Sequence, residues 1–171
     1  ATSDAVFTWN YEHSRPALVK LYEKGKRAQW NGNDLAWDTE VDQERVVLAN
    51  MAARPDASNM IGPGFDASGT VFANWGDKEW IEFAVQSQNW MLSQFLHGEQ
   101  GAMSLSASLC HVLLDPGAQE YAANQAREEA RHVAGFTRYI ARRWGAPLPV
   151  SQTIRTVLSD LVSTPEVYKK I

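Results

Sequence analysis

The sequence predicts an all-α fold built around two long helices that form an antiparallel hairpin. From Asp77 to Leu114, thirty-eight positions pass without a proline, and apolar residues recur on one stripe, as in an amphipathic helix. A second long helix is predicted from Ala118 to Trp144, where Gly145 and Pro147 end the pattern. The Asp115-Pro116-Gly117 segment between them is predicted to be the turn, so the two helices run in opposite directions.

Shorter elements are predicted on both sides of the hairpin. A first helix is expected over residues 16–30, after a proline suited to a first turn, and a short one over residues 43–53. Residues 54–76 contain several Gly and Pro and are predicted to form a surface loop. After Pro149, the stretch SQTIRTVLSDLV is expected to form a short helix that ends near Pro165. The chain then has three parts, an arm (1–76), the hairpin (77–144) and a C-terminal segment (145–171), within one domain or the N-terminal half of one.

Composition narrows the class of protein. The 171 residues suffice for one domain with its own core, and 44% hydrophobic with 21% charged residues is an ordinary globular composition. No apolar run approaches the roughly 18 residues of a membrane span, so no membrane partner is expected. Sixteen basic against 20 acidic side chains give a formal charge of −4, which does not favour a nucleic-acid partner. The lone Cys110 precludes an intrachain disulfide and fits a reducing cytoplasm.

Each predicted long helix carries an acid on its apolar stripe. The stripe of the first helix contains Leu92, Phe95, Glu99, Ala102 and Ser106, and that of the second contains Gln125, Glu129, His132, Phe136 and Tyr139. A desolvated carboxylate without a partner is costly. Glu99 and Glu129 are therefore expected to be paired, protonated or bound to a metal.

The spacing of these residues points to a metal. Glu129 and His132 are three residues apart, so their side chains share one helix face. Glu99 precedes Glu129 by 30 residues, and the predicted turn lies near the midpoint, which brings both acids to the same height. A Glu opposite a Glu-x-x-His is half of the ligand set of di-iron and di-manganese helical bundles. We predict Glu99, Glu129 and His132 as metal ligands and as the catalytic centre, with iron or manganese favoured by the hard oxygen donors.

Other residues are given supporting or structural roles. Glu128 is expected to lie on a solvated face or to accept a hydrogen bond from a ligating imidazole. Arg131 is expected to belong to an exposed face of arginines or, beside Glu128, to help fix the carboxylates. His97 and His111 are out of step with the Glu99 stripe and are not expected to bind metal. The residues predicted to line a dry substrate pocket are Leu92, Phe95, Ala102, Met103, Phe136 and Tyr139.

Two stretches of the hairpin resemble a known family. GEQGAMSLSASL and, after the break, NQAREEARHVAGFTRYI are similar to the first metal-binding helix pair of the bacterial multicomponent monooxygenase hydroxylases and, more loosely, of the ribonucleotide reductase small subunit. A W-x-x-x-D-x-x-W-D-x-x-x-D segment from Trp30 to Asp42 is similar to one that precedes the bundle in the radical-generating branch. The resemblance covers roughly residues 20–145. It implies a ferritin-like bundle, with Glu99, Glu129 and His132 as iron ligands and Glu128 as a supporting acid.

The resemblance also implies ligands that this chain lacks. A complete site in that family holds two iron ions, and manganese can replace one of them. It uses a second Glu and a second Glu-x-x-His, yet the chain has four His and none after His132. The second half-bundle is expected from another polypeptide, from the remainder of a longer chain, or from a second copy. We favour a split or truncated protein over a homodimer.

Three functions are compatible with such a half-site. The leading expectation is an oxygen-activating di-iron oxidoreductase, monooxygenase-like, which oxidises a small apolar or aromatic substrate with dioxygen and electrons from a reductase partner. A ferroxidase or iron-storage module would use the same ligands without an organic substrate. A non-enzymatic helical scaffold subunit would use the buried acids to pair with another chain.

Overall fold

A computed structural model of the protein describes residues 7–53, 61 and 65–170. Five α-helices occur in these ranges: α1 (Pro16–Arg27), α2 (Gln43–Ala53), α3 (Asp77–Val112), α4 (Pro116–Trp144) and α5 (Gln152–Ser163). Short 3-10 turns at Gly32–Asp34 and Val167–Lys169 follow α1 and α5, respectively. The described residues contain no strand, so the predicted all-α fold is confirmed.

The predicted helices are all present, with differences at their ends. The predicted loop falls partly on residues 54–60 and 62–64, which lie outside the described residues, and residues 65–76 form turns. The turn between the long helices was predicted at 115–117 but lies at 113–115, because α4 already begins at Pro116. Asp115 caps this helix by accepting a hydrogen bond from the backbone N–H of Ala118 at 3.0 Å. Proline fits the first helical position because its missing N–H would have no partner there.

The described residues divide into two compact units. The hairpin unit comprises those within 1–35 and 92–171, and the aromatic unit comprises those within 36–91, so the boundary falls inside α3. The expected single domain stays a prediction. In the aromatic unit, Phe72 contacts the rings of Phe65, Trp75, Trp80 and Phe83, and Trp80 is only 5% exposed. These rings form the core of that unit, as large aromatic side chains commonly do.

In the hairpin unit, α3 and α4 run antiparallel. The thiol of Cys110 lies 3.7 Å from the carbonyl oxygen of Gln119, and farther from the turn the rings of Phe95 and Phe136 are 6.3 Å apart. Moving back along α3 therefore corresponds to moving forward along α4. The side-chain amide of Gln119 donates to the carbonyl of Leu113 at 2.7 Å, which satisfies a backbone acceptor just beyond the end of α3.

Helices α1 and α5 each pack closely on the hairpin at a glycine. Helix α1 packs on α4, and a Cβ atom on Gly25 would lie 2.5 Å from Nδ2 of Asn124, so the absence of a side chain permits this contact. Helix α5 packs on α3 through Leu158, whose Cδ2 would be 2.4 Å from a Cβ on Gly101. Because two residues correspond to about 200° of helix rotation, α5 lies on the side of α3 away from Glu99. The Glu99 face of α3 therefore stays available to α4.

No helix in the described part of the chain combines the length and apolarity that crossing a membrane requires.

Candidate metal centre

The three predicted ligands converge between α3 and α4. Nδ1 of His132 lies 3.2 Å from Oε2 of Glu99 and 3.1 Å from Oε2 of Glu129. One ligand atom from each residue lies within 4.8 Å of the other two, and no other group of three His, Cys, Asp or Glu among the described residues meets this distance. The predicted register of the hairpin, with Glu99 level with Glu129, is therefore confirmed.

The triad is buried on one side and open on the other. The side chain of Glu129 is 9% exposed, whereas those of Glu99 and His132 are 27% and 35% exposed. Glu129 thus forms the floor of the site. An ion held by the three side chains could accept further ligands from the exposed side.

Burial and hydrogen bonding together raise the pKa of one acid and lower that of the other. Burial, followed by the hydrogen bond with Glu129, raises the pKa of Glu99 above its ordinary value. Burial acts in the same direction on Glu129, but hydrogen bonds from Glu99, Gln125 and His132 together lower its pKa. Without metal, Glu99 therefore holds a proton more readily, and Glu129 is the charged acceptor.

Gln125 orients the deepest ligand. Its side-chain amide donates a hydrogen bond to Oε1 of Glu129, while Oε2 of the same carboxylate faces His132. The sequence placed Gln125 on the stripe of Glu129 but gave it no role. Its position one helical turn before Glu129 is the signal that could have assigned this contact, because side chains four residues apart are neighbours on a helix.

Glu128 and Arg131 lie beside the triad and bind each other. The carboxylate of Glu128 accepts hydrogen bonds from Arg131 and, at 2.7 Å, from Nη2 of Arg127. These arginine contacts, rather than one from the imidazole of His132, are the ones that the structure describes for Glu128. Arg131 was expected to fix the carboxylates of the site, and it does contact an acid, but that acid is Glu128.

Trp30 contacts the site from outside the hairpin. Its ring lies 6.5 Å from the imidazole of His132, centroid to centroid, at an interplanar angle of 23°. The guanidinium carbon of Arg131 lies 4.2 Å from the centre of the same indole, and Nη1 of Arg131 donates to the backbone carbonyl of Trp30 at 2.8 Å. The motif from Trp30 to Asp42 predicted no role for Trp30 at the site.

The six predicted pocket residues are only partly covered in this chain. Phe95 and Phe136 contact each other, but Phe95 is 52% exposed. The ring of Tyr139 contacts Trp144 and the guanidinium of Arg143 instead of the triad. The remaining members, Leu92, Ala102 and Met103, are half-buried. A dry substrate pocket stays a prediction, and it requires a cover for this surface.

The other three histidines are not part of the triad. Nε2 of His97 lies 2.9 Å from the carbonyl oxygen of Leu148, in the segment that leads into α5. Nε2 of His13 lies 3.0 Å from the carboxylate of Glu120. His111 is exposed near the end of α3.

Iron or manganese stays a prediction, although the donor set could hold a metal ion. This donor set combines two carboxylates with one imidazole, and hard oxygen donors with nitrogen suit these metals. No protein-family model, curated protein or solved structure matches this chain. The resemblance to the di-iron family therefore rests only on the sequence motifs of the hairpin and of the Trp30 to Asp42 segment, and family membership stays a prediction.

Proposed function

We propose that this chain supplies one half of a carboxylate-bridged di-iron site in a ferritin-like bundle and acts as part of an oxygen-activating oxidoreductase. The observation that carries the proposal is the convergence of Glu99, Glu129 and Nδ1 of His132 from two antiparallel helices. A carboxylate on one helix opposite a Glu-x-x-His on the next is the arrangement that such bundles use twice.

A second half-bundle would complete the site. Two such halves together offer four carboxylates and two imidazoles, and four negative charges balance two divalent cations. The exposed sides of Glu99 and His132 and the half-exposed ring of Phe95 support a partner surface at this position. Another polypeptide, the remainder of a longer chain or a second copy could provide it.

The residues of this chain would prepare the site for metal. Glu129, held by Gln125, offers a charged carboxylate at the floor, and His132 offers Nδ1. Burial raises the pKa of Glu99, and any proton that this carboxyl holds would leave to solvent through its exposed side when it becomes a ligand. Two iron ions, or one iron and one manganese, would supply the reduction of dioxygen and the oxidation of substrate. Phe95 and Phe136, once covered, would provide an apolar surface for a small apolar or aromatic substrate.

A ferroxidase is the second candidate, because Glu99 and His132 are open to water in this chain. Water access suits the entry and oxidation of ferrous ions. An organic substrate, in contrast, requires the site to be covered. Dioxygen uptake that depends on an added apolar compound and a reductase supports the oxygenase, whereas uptake that depends only on ferrous iron supports the ferroxidase.

Metal content tests the proposal. The purified protein is washed with chelator and reloaded with ferrous iron without oxygen, and iron is measured by mass spectrometry with every polypeptide quantified. About two irons per chain indicate a site completed by another polypeptide, and about one indicates two copies sharing a site. His132→Ala should abolish loading, whereas Glu120→Gln, whose carboxylate pairs with His13 instead, should not. If the wild type binds no iron, or if Glu129→Ala still binds it, the proposal is wrong. The triad then has a structural role, as expected for a scaffold subunit.

A further inference from the structure

Arg131 makes three contacts, two of which connect α4 to the segment after α1. Its guanidinium pairs with Glu128, lies over the indole of Trp30 at 4.2 Å, and donates to the carbonyl of Trp30 at 2.8 Å. The side chains of Arg131 and Glu128 are only 17% and 18% exposed, so this pair is a largely buried element of the hairpin unit. The same guanidinium therefore holds both the backbone and the side chain of Trp30.

Trp30 lies outside the helices, so helix formation does not fix its position. Helix α1 ends at Arg27, and Trp30 belongs to the non-helical connection before the turn at Gly32–Asp34. Its ring nevertheless lies nearly parallel to the imidazole of His132, at 23°. Because the planar guanidinium can stack on an aromatic face and donate hydrogen bonds at the same time, Arg131 is suited to fix this orientation.

We infer that Arg131 is a positioning residue of the candidate metal site and that it acts through Trp30, whose indole holds the imidazole of His132 with Nδ1 directed at Glu99 and Glu129. Metal affinity in proteins depends strongly on groups that orient the ligating histidine. Here the orienting group is an aromatic ring 102 positions before the ligand, and the ring is itself placed by the residue next to that ligand. The inference rests on the proposed function only for its effect on metal binding.

The first test uses the metal-free protein. A neighbouring indole shifts the nuclear magnetic resonance signals of an imidazole through its ring current, so the ring protons of His132 report on Trp30. Trp30→Leu and Arg131→Met should both move these signals in the same direction, and the double variant should add little to Trp30→Leu alone. Arg127→Met is the matched control, because Arg127 also binds Glu128 and has no described contact with Trp30. Unchanged His132 signals in Arg131→Met, with the protein folded, overturn the inference.

The second test uses Co²⁺ as the probe for the site. Trp30→Leu and Arg131→Met should weaken Co²⁺ binding about 10- to 100-fold and change the visible absorption of the bound ion, and Arg127→Met should do neither. Trp30→Phe keeps a flat ring and should recover much of the affinity, whereas Arg131→Lys should not, because an ammonium cannot stack and donate in the same way. Affinity and spectrum unchanged in both Trp30→Leu and Arg131→Met contradict the inference.

The two tests separate this inference from the proposed function. If the wild-type protein binds neither Co²⁺ nor Fe²⁺, the proposed function is wrong. The resonances of His132 still decide in that case whether Arg131 and Trp30 position its ring. If Arg131→Met does not fold, Arg131→Lys takes its place, and unchanged His132 signals in that variant overturn the inference. Trp30→Leu is expected to fold, because Trp30 is 42% exposed.

Discussion

Glu99 on α3 and His132 on α4 are 33 residues apart in the chain, yet Oε2 of the first lies 3.2 Å from Nδ1 of the second. Glu129 completes the triad from one turn before His132, at 3.1 Å. Burial raises the pKa of Glu99, whereas hydrogen bonds from Glu99, Gln125 and His132 outweigh burial at Glu129 and lower its pKa. Four predictions follow from this arrangement and from the packing that supports it.

Glutamine should be tolerated at position 99 better than at position 129. Because burial raises the pKa of Glu99, its carboxyl loses less on becoming neutral than that of Glu129 does, and Glu99→Gln should lower the free energy of unfolding by less than Glu129→Gln. Glu129 is a charged acceptor for Gln125 and His132, so Glu129→Gln should cost about 1.5–3 kcal/mol. Urea unfolding of the metal-free proteins measures both. Equal losses in the two variants would contradict this difference between the two acids.

Metal binding should release more protons from Glu99 as the pH falls towards the raised pKa of this carboxyl. Since the pKa of this carboxyl is raised in the folded protein, a ligating ion must displace the proton, and affinity should fall as the pH falls through that raised pKa. The stability of the metal-free protein should depend on pH in the opposite direction to metal affinity. A raised pKa in the folded state stabilises the fold at low pH, and this contribution is lost as the pH rises. Calorimetry of Co²⁺ binding in buffers of different ionisation enthalpy counts the protons. If the count does not vary with pH, the prediction is wrong.

The helix cap at Asp115 should make stability depend on acid. A hydrogen bond from the hydroxyl of Ser14, together with the backbone N–H of Ala118, holds the pKa of Asp115 below its usual range. A lowered pKa contributes stability that is present above the unfolded value of about 3.9 and is lost as the pH falls through the folded value. Asp115→Asn keeps a capping side chain but cannot titrate. Its urea midpoint should therefore vary less with pH than that of the wild type, and identical profiles would exclude this role.

Two glycines in α3 should respond to alanine in opposite ways. A Cβ on Gly101 would overlap Leu158 of α5 at 2.4 Å, so Gly101→Ala should cost about 1–3 kcal/mol through overpacking. Nothing lies within 4 Å of a Cβ on Gly98, and Gly98→Ala should stabilise the helix by up to about 1 kcal/mol. Leu158→Ala should relieve part of the loss in Gly101→Ala. Thermal unfolding compares the wild type, Gly98→Ala, Gly101→Ala and the double variant Gly101→Ala with Leu158→Ala. A Gly101→Ala variant more stable than the wild type would show that α5 can move aside without cost.

Helix positions and the candidate ligands could be predicted because they depend on local patterns. Glu129 and His132 are three residues apart, and the length of the turn set the height of Glu99, so a one-dimensional pattern was enough to bring them together. The turn itself was predicted two residues too late, because Asp115 was assigned to the break and not recognised as the cap of a helix that begins at Pro116. Residue chemistry that serves both a turn and a cap is ambiguous without the backbone.

Helical periodicity is a short-range property, so the residue pattern was enough to predict helices and to place two acids and one histidine on the inner stripes of the hairpin. The meeting of Trp30 and Arg131 beside His132 depends on the three-dimensional fold, because the two residues are 101 positions apart in the chain. That fold also leaves Phe95 half-exposed on the predicted inner stripe. Periodicity shows which face of a helix is apolar, but what covers that face, and which acid keeps a proton, depend on neighbours that are distant in the chain.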